Sequence, residues 1–116
     1  MTPYRAPYQA VIIETWRQQG FVCVAERGLE IADNLAYAAV PLDRIVAMCH
    51  GVAAAKPEAL LIYCTNFPGA AVVAIVEAAL GIPVFDATSA AVWGGLKLMG
   101  LDTRRAAAWG RLFAEG

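Results

Sequence analysis

An apolar run, Ala59-Leu60-Leu61-Ile62-Tyr63, stops at Cys64-Thr65-Asn66, and Phe67-Pro68-Gly69 then leads into a helical pattern. The succession predicts a strand, a short polar turn and a helix start, the unit from which open α/β sheets are built. A thiol at the carboxyl end of such a strand faces the crevice where these sheets bind ligands. The helix start offers free N–H groups and a positive dipole end, which favour thiolates and carboxylates. Cys64 therefore reads as a reactive thiol beside an anion site.

The rest of the chain repeats the alternation. Pro7 to Gln19 reads as a helix, with Pro7 at its first position and Val11, Ile12, Thr15 and Trp16 as its stripe. Gly20 ends it, and Phe21 to Ala25 reads as a buried strand with Cys23 in its middle. Asp33 or Asn34 caps a short helix to Tyr37 or Ala38. Pro41 opens a longer one to about Ala55, with Ile45, Val46, Met48 and Cys49 inward. After the strand at 59–63, Pro68 to Leu80 is helical and Gly81 stops it. Ile82 to Phe85 is a third strand, and Thr88 or Ser89 caps a helix to about Met99. Thr103 to Phe113 is a last amphipathic segment. The expected fold is a single flavodoxin-like α/β domain of three layers over residues 1–116, with a short, three-stranded parallel sheet and right-handed crossovers.

The 116 residues carry a net charge of −1 with no run of like charges, which argues against nucleic acid or a charged membrane as partner. No apolar run approaches the ~20 residues of a membrane span. There is no signal-peptide layout, so the protein is expected in the cytoplasm. Charged residues are only 16% of the chain, which points to burial in an oligomer or against another domain. Three cysteines without a CxxC pair disfavour a disulfide framework, and a lone His50 disfavours zinc or a histidine-based triad. Cys23 and Cys49 read as core residues, His50 as a surface residue near a helix end, and Trp93 and Trp109 as packing residues. Asp86 reads as a turn or cap residue on the same sheet edge as Cys64.

One feature is out of place. Thr2-Pro3-Tyr4 looks like the loop that follows a strand, yet a helix pattern begins at once. Taken with Gly20-Phe21-Val22, Glu26-Arg27-Gly28-Leu29, Asp33-Asn34, Tyr63-Cys64-Thr65-Asn66, Gly81-Ile82-Pro83-Val84, Ala90-Ala91-Val92-Trp93 and Gly110-Arg111-Leu112-Phe113, it completes an ordered set of motifs. The set resembles the second half of the maleate cis–trans isomerase and arylmalonate decarboxylase family, within the aspartate/glutamate racemase superfamily. The resemblance covers nearly the whole chain.

The resemblance implies an enzyme of two such domains facing each other across a cleft, each with a cysteine, using no cofactor. In the isomerase one cysteine adds to the double bond of maleate, the carbon–carbon bond rotates, and the thiol leaves. In the decarboxylase a cysteine delivers a proton beside a carboxylate. Carried over by position, Cys64 is the second-domain cysteine, and Tyr4 and Asn34 contact the substrate. Thr65 and Asn66 form the turn whose N–H groups hold a carboxylate. The plainer readings are a buried small thiol at 64, a packing aromatic at 4, and helix-cap or turn residues at 34, 65 and 66.

The first domain, its cysteine and the strand before Thr2 fall outside the resemblance. In flavodoxin-like order that strand is central. Its neighbours would face unpaired backbone groups, each costing about 1–3 kcal/mol when buried. The expectation is therefore a homo-oligomer or a complementing partner chain, acting on a small carboxylate or dicarboxylate. A decarboxylase or amino-acid racemase and a non-catalytic associating domain are the alternatives.

Overall fold

The computed structural model describes residues 1–115. Two parallel strands, β1 (Leu60–Ile62) and β2 (Val84–Asp86), form its sheet, pairing Leu60 with Val84, Leu61 with Phe85 and Ile62 with Asp86. Six helices surround it: α1 (Ala6–Gln18), α2 (Asn34–Tyr37), α3 (Leu42–Ala53), α4 (Val73–Leu80), α5 (Ala87–Leu98) and α6 (Arg111–Glu115). A 3-10 turn, Gly69–Val72, precedes α4, and another, Thr103–Trp109, precedes α6.

The core gathers where periodicity places it. Ile45, Met48, Cys49 and Val52 of α3 meet Leu60 and Ile62 of β1, Val72, Val73 and Val76 around the start of α4, and Val84 of β2. Pro41 stands just outside α3 as its cap, and Gly81 closes α4 in the left-handed conformation. Asp33 caps α2 by accepting the Leu35 N–H. Asp86, rather than Thr88 or Ser89, caps α5. Glu77 of α4 is buried and accepts N–H groups from Val84 and Arg111, tying α4 to the outer edge of β2 and to the start of α6. Gly110 lies against it: its φ is +123°, and a Cβ there would fall 2.5 Å from Val73 Cγ1. Only glycine meets both conditions.

The third strand does not form. Phe21 to Ala25 is extended coil, Val22 is 80% exposed, and Cys23 is on the surface rather than in the core. A strand needs a neighbour on its hydrogen-bonding edge, and residues 22–25 make no backbone–backbone hydrogen bond among the described residues. The helix above it is loosened too. Val11 is exposed, Ile12 and Trp16 are half-buried, and Gln9 is the buried residue of α1. Trp109, expected to pack, is also largely exposed.

Met1 shows where the neighbour belongs. Its amine donates to Leu61 C=O, and its own C=O accepts the Tyr63 N–H at 2.9 Å. These are the two bonds of a parallel bridge to Ile62. On the other side, the Thr2 N–H donates to Arg27 C=O, and the C=O groups of Pro3 and Tyr4 accept from Ile31 and Glu30. Residues 1–4 thus run one strand-width between β1 and the segment leading from Phe21. Burial lowers the pKa of the Met1 amine below its ordinary value.

Candidate functional site

Cys64 lies two residues beyond Ile62, at the carboxyl end of the sheet. It is 5% exposed and belongs to the core cluster. Tyr4 packs against the same cluster, close enough to Cys64 for the thiol to bear on the ionisation of its hydroxyl. Burial first, and then the neighbouring thiol, raise the Tyr4 pKa well above the ordinary phenol value. Tyr37 of α2 holds the other side of the Tyr4 ring edge-on, at a centroid distance of 5.5 Å.

The Tyr4 loop is built from remote parts. The Thr2 hydroxyl bonds to Gln9 Oε1 and accepts the Tyr4 N–H at 3.2 Å, and Gln9 Nε2 donates to Glu26 Oε2 at 3.1 Å. Gly28 leaves room for this: a Cβ there would lie 3.0 Å from the Tyr4 carbonyl oxygen and 3.1 Å from Gln9 Oε1. The sequence does not single out Gln9, and marks Glu26 only as part of the Glu26–Leu29 motif. A buried glutamine on a helix has no local signature; it is recognised only by what packs on it.

The turn after Cys64 gathers two further residues. Asn66 Nδ2 donates to Asn34 C=O at 2.7 Å, drawing the start of α2 to the Cys64 turn. The Thr88 hydroxyl of α5 donates to Thr65 C=O at 3.2 Å. Thr65 and Asn66 do not cap the following helix, since Pro68 stands at that position without a side-chain bond. Their own N–H groups enter no backbone–backbone bond among the described residues. Cys64, Tyr4, Asn34, Thr65 and Asn66 therefore lie around one end of β1. Asn34 and Thr65 are exposed, whereas Cys64 is covered.

Asp86 ends β2 at the same edge. It is fully buried; Oδ1 accepts the Ser89 N–H at 2.9 Å, while Oδ2 has no hydrogen-bond partner among the described residues and faces Gly69. Burial is the larger influence on this carboxyl and raises its pKa, against the lowering effect of the Ser89 and Thr88 groups. Two surface hollows lie elsewhere, one among Ala53, Lys56, Pro57, Leu80 and Ile82, the other among Glu77, Ala78, Gly110 and Arg111. Among the described residues no cluster of three or more His, Cys, Asp or Glu side chains could hold a metal ion, and no helix is long and apolar enough to cross a membrane.

A short parallel sheet carrying a cysteine at its carboxyl end defines an α/β domain of the aspartate/glutamate racemase type. Residues 1–113 match the family described as arylmalonate decarboxylase, and the chain belongs to that family. The maleate isomerase of Nocardia farcinica (strain IFM 10152) is 28% identical over 102 residues, which are 87% of this chain and 41% of the relative. Among solved structures, the maleate cis–trans isomerase of N. farcinica matches with a TM-score of 0.92 at 27% identity, over 98% of this chain and 46% of that one. The maleate isomerase of Pseudomonas putida S16 matches with a TM-score of 0.90 at 29% identity, over 97% and 46%. A liganded variant of arylmalonate decarboxylase matches with a TM-score of 0.87 at 25% identity, over 99% and 50%. The chain thus spans about half the length of these relatives.

Proposed function

We propose that this chain is the thiol-bearing half of a cysteine-based isomerase for a small dicarboxylate, of the maleate-to-fumarate type, working without a cofactor. The observation that carries the proposal is Cys64 at the end of the sheet with Tyr4 packed on the same cluster, beside the Thr65 and Asn66 N–H groups, which enter no backbone–backbone bond among the described residues. A serine variant of the N. farcinica isomerase that was solved with a covalently bound succinylcysteine intermediate supports covalent cysteine chemistry in that relative, on a cysteine other than the one replaced.

The chemistry follows from these groups. The Cys64 thiolate adds to one alkene carbon, forming a C–S bond, and the π pair moves to the other carbon beside its carboxylate. The former double bond is then single and rotates; expulsion of the thiolate restores it in the trans geometry. The N–H groups of Thr65 and Asn66 hold one carboxylate, and Tyr4 donates to it or to the thiol. Protonation of the second carbon, and removal of that proton again as the thiolate leaves, require another acid–base group, which a facing domain supplies in a homo-oligomer or a complementing chain. All three cysteines are free thiols, in keeping with a reducing compartment, the cytoplasm.

Two other readings each have an observation in their favour. The family match favours decarboxylation of an aryl malonate, with Cys64 delivering the proton after carbon dioxide leaves. The covered thiol, with the surface hollows elsewhere, favours a non-catalytic domain that associates with a partner. Incubation with maleate, phenylmalonate and aspartate in D₂O separates the three. Fumarate together with a succinyl adduct on Cys64 supports the isomerase, and deuterated phenylacetate supports the decarboxylase. No turnover and no adduct, alone or with a facing domain added, refutes both enzymatic readings.

A further inference from the structure

We propose that Thr88 is a positioning residue for the turn after Cys64: its hydroxyl fixes the plane of the Thr65–Asn66 peptide and so aims the Asn66 N–H at a substrate carboxylate. This deepens the function proposed above and rests on the anion-holding role given there to that N–H.

A threonine hydroxyl on a helix commonly turns back to the carbonyl four residues earlier. Thr15 of α1 does so, donating to Val11 C=O at 2.8 Å. Thr88 does not. It lies in the first turn of α5, where the residue four places back, Val84, belongs to β2 rather than to the helix. Its hydroxyl reaches out of the helix instead, to Thr65 C=O at 3.2 Å. That carbonyl shares one planar unit with the Asn66 N–H. The described residues contain no cis peptide bond, so the two groups point in opposite directions. Holding the oxygen toward α5 turns the N–H away from it, and a bond accepted by the C=O also polarises the N–H for an anion.

Thr88 can act as a fixed point because the sheet sets its own place. Asp86 pairs with Ile62, the last residue of β1. Its Oδ1 accepts the Ser89 N–H at 2.9 Å and so holds the first turn of α5. Its Oδ2 lies against Gly69, where a Cβ would fall 2.6 Å from that oxygen and 2.5 Å from Ile62 Cγ2. The far end of the turn is thus seated on the residue that caps the helix carrying Thr88. Asn66 Nδ2, bonded to Asn34 C=O at 2.7 Å, ties the same turn to α2. Of these attachments, only the Thr88 bond acts on the Thr65–Asn66 peptide itself.

The test uses the full, isotopically labelled chain and succinate. Succinate is a saturated dicarboxylate to which Cys64 cannot add, so the outcome is independent of whether the thiol attacks maleate. Residual dipolar couplings in a dilute aligned medium read the orientation of the Asn66 N–H, and its amide shift reads the affinity for succinate. Thr88→Val keeps the shape and the β-branch but not the donor. It should rotate the Asn66 N–H, leave the couplings of α5 unchanged, and weaken succinate about three- to tenfold, the range expected of one hydrogen bond. Thr88→Ser should restore both readouts. Thr15→Val, which loses a bond confined to α1, should leave affinity within about twofold. An Asn66 N–H that keeps its orientation in Thr88→Val, or equal weakening by Thr88→Val and Thr15→Val, overturns the positioning role. An Asn66 amide that does not respond to succinate in the unaltered chain overturns it as well, and the maleate incubation then decides the thiol chemistry separately.

Discussion

Removing the Glu77 carboxylate should cost more stability than any other single polar deletion in this domain. Glu77 is 7% exposed; Oε1 accepts the Val84 N–H at 2.9 Å and Oε2 the Arg111 N–H at 2.8 Å. The Val84 N–H points away from β1, on the outer edge of the sheet. Val84 is itself buried, so that group has no access to water once the carboxylate is gone. Arg111 is exposed, and its N–H regains solvent more easily. Hydrogen bonds to charged groups contribute about 1.5–3 kcal/mol each. Taking the full value at Val84 and a smaller one at Arg111 gives about 3–4 kcal/mol for Glu77→Ala. Glu77→Gln keeps one acceptor but turns an NH₂ against the other N–H, and should cost about 1.5–3 kcal/mol. For a domain of ~100 residues, 1 kcal/mol moves Tm by ~4–8 °C, so Glu77→Gln should melt at least ~6 °C lower. Urea unfolding followed by circular dichroism measures both variants, with unchanged m-values confirming a common transition. A Glu77→Gln midpoint within about 0.5 kcal/mol of the parent would refute the reasoning, since the two bonds would then not be made in solution.

Cys64→Ser should abolish the adduct that mass spectrometry finds after incubation with maleate, with the fold retained by circular dichroism. Tyr4→Phe should lower adduct yield about tenfold, the effect of one lost hydrogen bond, and change urea stability by less than about 1 kcal/mol. Asp86 sets a pH dependence: its folded pKa lies above the unfolded value, so the folded state holds the proton to higher pH. Stability should therefore be greatest below the unfolded carboxyl pKa and decline as pH rises through the folded value. Asp86→Asn should flatten that decline in urea midpoints between pH 4 and 7. Gly110→Ala brings a Cβ onto Val73 at φ +123° and should cost about 2 kcal/mol or more, read by the same unfolding assay.

Local punctuation made most helices legible. Pro7, Pro41, Gly81 and Gly100 mark ends that the structure places within a residue or two, because caps and breakers act on their immediate neighbours. The strand at Phe21–Ala25 shows the opposite case. Its composition is that of a strand, but pairing is non-local, and Val22 or Val24 cannot be half-buried when nothing lies across the edge. The α5 cap falls two or three residues before Thr88 and Ser89 because all three residues are competent caps, and it is Asp86 whose Oδ1 accepts the Ser89 N–H. At the candidate site, the position of Cys64 could be read from the strand-to-turn transition alone. That Tyr4 reaches it across sixty residues was implied only by resemblance, and the supporting Gln9–Glu26 bond not at all.

The position of Met1 has a practical consequence. Its amine is an interior group, bonded to Leu61 within the sheet, so anything attached through it has one path to follow, back along β1. An apolar segment fused there would meet that path at an effective concentration near millimolar. A polar affinity tag in the same place would drag solvated residues into the domain. Labels and immobilisation chemistry therefore belong on exposed side chains away from that amine, such as Lys56.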